Sequence, residues 1–186
     1  MTYLSRIEAF IANWEDRFVE VNPDEVFKQS PQGNINTDGT SACCDSPALS
    51  KYHRYFKKSI EPGVRDLTVA LILKFNCITY SSCQGHLSTP DAAMRPRYVA
   101  MLPRDDNDYR RLFQILQDLA DLTNSQLPEN PVKVVLGSDI LESETCTMPG
   151  ITLFFVAADE ISETTYFMEL DKVYAHLCQI IQNYSV

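Results

Sequence analysis

Between residues 79 and 86 the chain reads Thr79-Tyr80-Ser81-Ser82-Cys83-Gln84-Gly85-His86. Hydroxyls, a thiol, an amide and an imidazole crowd around one glycine. Gly85 permits a left-handed backbone or the close approach of a ligand to the main chain, and successive N–H groups at such a turn can form an anion nest. Three chemistries fit these residue types. Cys83-x-x-His86 has the spacing of two metal ligands on one turn, with Cys43, Cys44 and His53 upstream. Sulfur and imidazole together suit zinc or iron. Cys83 beside His86 or His53 could instead be a nucleophile and its base. The third choice is a turn that binds a small-molecule ligand for group transfer: Ser81, Ser82, Gln84 and Gly85 contact the ligand, Cys83 or His86 faces the reacting group, and Arg95 and Arg97 clamp a carboxylate or phosphate. Against all three stands a plain polar turn with Cys83 packed inward and His86 solvated. His176 and Cys77, Cys146 and Cys178 read as packing or surface residues. No Walker A, G-x-G-x-x-G, H-E-x-x-H or G-x-S-x-G sequence occurs.

The elements that must position this turn follow from hydrophobic periodicity. Pro62 suits a first helical position, and Val64, Leu67, Leu71 and Phe75 share one face of the helix behind it. A strand over 77–81 leads into the turn, and a second covers 98–102. Asp105 or Asp106 caps a helix whose inward face is Tyr109, Leu112, Phe113, Leu116, Leu119 and Ala120. Strands over 132–136 and 151–157 flank a polar connection through Gly137 and Pro149-Gly150. A last helix, about 162–183, buries Phe167, Leu170, Val173, Tyr174, Leu177 and Ile181. The expected fold is α/β in the α+β sandwich sense: a mixed sheet of about four strands, in a helix–strand–strand repeat, covered by helices. Residues 59–186 form this core. Residues 1–58 form a helical segment, with helices over 3–20, from Asn22, and over 47–58, and a loop at 29–42. The whole is expected to be one compact domain.

A helix ending Leu71-Ile72-Leu73-Lys74, a strand Ile78-Thr79-Tyr80, the run Ser81-Ser82-Cys83-Gln84-Gly85-His86 and a strand near Tyr98-Val99-Ala100 resemble the tRNA wybutosine-synthesising protein 3 family. That family carries S-S-C-S-G-R between a hydrophobic helix and a strand. The resemblance spans about residues 60–102. It implies an α/β transferase, methyltransferase-like, that uses S-adenosylmethionine on a modified guanosine of tRNA. The motif positions would be Ser81, Ser82, Cys83 and Gly85. Two positions depart from it: Gln84 stands for serine, and His86 for arginine.

Charge separates the motif from that substrate. The 186 residues carry 16 Lys+Arg and 25 Asp+Glu, a net charge of −9. So acidic a chain lacks the positive surface that a tRNA enzyme presents, and a small-molecule substrate fits better. Eleven of the bases fall within 51–111, leaving room for a local anion site; 138–171 hold eight acids and no base. That acidic stretch offers a further reading, a non-enzymatic module meeting a basic partner. No apolar run reaches the eighteen residues of a membrane span. Glu8, Glu15 and Asp16 interrupt any leader-like stretch. A cytoplasmic protein with reduced thiols is the expectation. No feature of the sequence sets an oligomeric state.

Overall fold

The computed structural model describes residues 2, 3, 7–17, 29, 30, 33, 34, 50–52 and 56–185. The elements are β1 (Thr2–Tyr3), α1 (Ile7–Trp14), β2 (Gln29–Ser30), β3 (Gly33–Asn34), α2 (Phe56–Ser59), α3 (Pro62–Phe75), β4 (Thr79–Cys83), β5 (Tyr98–Met101), α4 (Asp106–Gln126), β6 (Val132–Glu142), β7 (Thr147–Ala157) and α5 (Glu163–Asn183). From α3 onward this is the helix–strand–strand order that the periodicity predicts, and the fold is α+β. Five strands run in the order β1-β6-β7-β5-β4. The pairs β4–β5, β5–β7 and β6–β7 are antiparallel, and β1 joins β6 in parallel.

Alternation along the strands decides which face is buried. Val99 and Met101 of β5 lie opposite Leu153 and Ile151 of β7, and Val134 of β6 lies opposite Phe155. All six are buried, in one cluster with Val64, Leu67 and Leu71 of α3, Leu112, Leu116 and Leu119 of α4, and Leu170, Val173 and Leu177 of α5. Phe113 and Phe167 sit further out than periodicity suggests; Tyr166 is the buried aromatic of α5 instead. Its hydroxyl donates to Phe155 O at 2.7 Å.

Helix ends are satisfied by side chains, as orphan backbone groups require. The Asp105 carboxylate accepts from Asn107 N and Asp108 N, both at 2.8 Å, and Ser162 Oγ accepts from Thr165 N. At the C-terminus of α3, Arg111 donates to Phe75 O at 3.0 Å and Arg104 to Asn76 O at 2.7 Å. Asn76 closes that helix in the left-handed region, at φ 55°.

Three expectations change. The polar connection expected at 137–150 is strand: β6 and β7 are each eleven residues, with Gly150 opposite Asp139 and Pro149 opposite Ile140. The reversal comes later, where Ser143 N donates to Cys146 O and Cys146 N to Ser143 Oγ. Of the helix expected over 3–20, Ile7–Trp14 is helical; Tyr3 is in a strand, where Thr2 and Tyr3 pair with Leu141 and Glu142, residues 15–17 have left the helix, and residues 4–6 and 18–20 lie outside the described residues. Within 29–42, Gln29–Ser30 and Gly33–Asn34 form a small hairpin. The helix start at Asn22, the remainder of the 29–42 loop, residues 47–49 and 53–55, and Cys43, Cys44 and His53 lie outside the described residues. Cys77, Cys83, Cys146 and Cys178 are free thiols.

Candidate metal centre

β4 ends at Cys83, and the chain turns at once through Gln84 and Gly85. The turn returns as an antiparallel bridge: His86 N donates to Arg95 O at 3.0 Å and Arg95 N to His86 O at 2.9 Å. Gly85 has φ +86°, a conformation that costs a residue with a Cβ. A Cβ there would also lie 2.9 Å from the Phe167 ring and 3.3 Å from Arg95 O and Arg97 N. Both demands select glycine. The tight turn lets Gly85 N donate to Cys83 Sγ at 3.4 Å, so a backbone N–H faces the sulfur.

The N-terminus of α3 is docked onto the same turn. Gly63 N donates to Gln84 Oε1 at 3.0 Å, and a Cβ on Gly63 would meet the Gln84 side chain at 3.0 Å. Gln84 N in turn donates to Glu61 Oε2 at 2.7 Å. Arg97, also buried, locks the assembly from behind. Its Nε donates to Gln84 O at 2.8 Å, its terminal nitrogen pairs with Asp171 at 3.1 Å, and its guanidinium stacks 4.7 Å from the Tyr174 ring centroid.

Glu61, Cys83 and His86 therefore converge, with their ligand atoms all within 4.8 Å of one another. Glu61 and Cys83 are each only 6% exposed. His86 Nε2 lies 2.9 Å from Glu61 Oε1. Oε1 is buried and no backbone N–H reaches it, so the imidazole and the Cys83 thiol are its polar neighbours. A buried carboxylate is costly unless it is paired, and here its partners are themselves metal-ligand types. Burial pushes the Cys83 thiol up, the Gly85 N–H opposes this, and the Glu61 carboxylate adds to the rise. Without a cation beside it Cys83 is a protonated thiol, the opposite of what a self-activated nucleophile needs.

The sequence-expected residues divide accordingly. Cys83 and His86 come together. Gln84, Gly85 and Arg97 hold the turn through contacts within the chain. Ser81 Oγ is 3.0 Å from the Tyr98 hydroxyl. Ser82 is half-buried opposite Val99, and Arg95 is exposed beside His86. His176 bonds Gln126 at 2.7 Å on the surface. Glu61 is the residue that sequence reasoning missed. Its one local mark is position: an acid immediately before Pro62 whose carboxylate does not cap its own helix but reaches Gln84. Comparison with family models, with curated proteins and with solved structures finds no match.

Proposed function

We propose that this protein binds a divalent transition-metal ion, zinc by donor type, through Glu61 Oε1, Cys83 Sγ and His86 Nε2. The observation that carries the reading is the convergence of a buried carboxylate, a buried thiol and an imidazole, their ligand atoms all within 4.8 Å of one another. Carboxylate, thiolate and imidazole are the three zinc donor types. A carboxylate and a thiolate also balance a 2+ charge. The surroundings suit the task. Gln84 N–H fixes the other Glu61 oxygen and Gly85 N–H supports the sulfur, the kind of outer contact that orients ligands and tunes a metal. Three protein donors among the described residues leave one position of a tetrahedral shell to solvent or substrate, as in catalytic zinc sites. An ion held this way supplies Lewis acidity at that position.

Group transfer from S-adenosylmethionine, which the resemblance implies, rests on the motif alone. The metal reading is the one to which the fold adds a residue. Elemental analysis of protein prepared without chelator or a histidine tag tests it. About one equivalent of zinc is expected, lost in Glu61→Gln, Cys83→Ser and His86→Gln. Less than about a tenth of an equivalent, with no uptake of added zinc, contradicts the reading; one equivalent of iron instead would keep the site and change the ion.

A further inference from the structure

Arg95 stands apart from the other arginines near this centre. Arg97 is engaged with Gln84 O, Asp171 and Tyr174. Arg104 is engaged with Asn76, Glu15 and Asp108, and Arg111 with Phe75 O and Asp108. Among the described residues the Arg95 guanidinium has no hydrogen-bond or ion-pair partner, although Arg95 is pinned by its main chain. It exchanges both backbone hydrogen bonds with His86, and residues paired this way project side chains to the same face. Its carbonyl is packed against Gly85, and Pro96 follows, restricting Arg95 to extended backbone. The cation is thus held on the His86 side of the turn and free at its tip.

Resting on the metal reading, we infer that the coordination position left by Glu61, Cys83 and His86 takes an oxyanion, a carboxylate or phosphate group, which Arg95 binds through its second oxygen. The charge balance favours this. Glu61 and thiolate Cys83 neutralise a divalent ion, so Arg95 leaves the site one positive charge in excess. A guanidinium offers two parallel donors to such a group. The ligand class is therefore a small anionic molecule, placed with one oxygen on the ion and one on Arg95.

Cobalt(II) titrated into the protein reports both steps, since sulfur-to-cobalt and ligand-field absorption follow the coordination shell. Inorganic phosphate and acetate are then added in separate arms, which distinguish the two oxyanion classes. The expected result is that at least one of them shifts the cobalt spectrum of wild type and of Arg110→Gln, an exposed arginine of α4. In Arg95→Gln cobalt still binds, but the anion Kd rises roughly tenfold or more, with Arg95→Lys between. Anion affinity unchanged in Arg95→Gln, or no spectral response to either anion, overturns this inference and leaves the metal site standing. Failure of wild type to take cobalt with a sulfur band overturns both.

Discussion

The two oxygens of Glu61 have different surroundings: Oε2 accepts the Gln84 N–H, while the buried Oε1 faces the Cys83 thiol and the His86 imidazole, 2.9 Å away. That asymmetry makes Oε1 the oxygen a metal ion would take. In metal-free protein, Glu61→Gln keeps an acceptor for Gln84 N–H, and its amide can donate to neutral His86 in place of the Glu61–His86 contact, so urea melts should place it within about 1 kcal/mol of wild type. Zinc should stabilise wild type and not the variant. A loss of several kcal/mol with zinc stabilisation intact would make Glu61 a structural group only. Gly85→Val tests the neighbouring demand. At φ +86° and 2.9 Å from Phe167, a branched side chain should cost about 1–3 kcal/mol and lower zinc uptake as well, because the N–H to Cys83 would move. A variant of wild-type stability and wild-type zinc content would contradict the turn's role.

At the scale of elements, α3 is held at both ends by groups distant in sequence. Gln84 and Glu61 fasten its start to β4; Arg104 and Arg111 cover carbonyls at its end. Asp108 holds those two arginines. Burial alone would raise its carboxyl, but the Arg104 N–H and the Arg111 and Arg104 guanidiniums outweigh burial and hold it below the ordinary value. A carboxyl depressed on folding adds stability above its unfolded pKa of about 3.9 and loses it as pH falls through the folded value. Acid titration of stability should therefore show a component between about pH 5 and the folded pKa that Asp108→Asn lacks. Identical acid profiles would sink this assignment. Asp105→Ala should cost about 1 kcal/mol in thermal or urea melts through loss of the α4 cap, and no loss would count against that cap. The α3, α4 and α5 helices were legible because their apolar faces and their starts, Pro62, Asp105 and Ser162, are local features. The length of the β6–β7 hairpin was not. Pro149 and Gly150 read locally as a turn, whereas the pairing that absorbs them, closed at Ser143 and Cys146, is a relation between two strands.

For the whole molecule, the same division between local and long-range features governs the centre. Cys83, Gly85 and His86 share one turn and could be read together, while Glu61 joins them only because α3 packs its N-terminus against the end of β4. None of the described helices is long and apolar enough to cross a membrane. The net charge of −9 argues against phosphate-backbone ligands and is compatible with a small anion drawn to one local cation. Because the ion would bind the folded chain and not the unfolded one, zinc at about a hundred times its Kd should add roughly 2.7 kcal/mol, raising Tm by about 5–10 °C; no shift would argue against coupling between site and fold. The most direct measurement is zinc K-edge X-ray absorption on the loaded protein. The structure calls for a single sulfur near ~2.3 Å and nitrogen or oxygen neighbours at about 2.0–2.2 Å, the sulfur vanishing in Cys83→Ser. A shell of two or more sulfurs, or of none, would contradict a centre built from Glu61, Cys83 and His86.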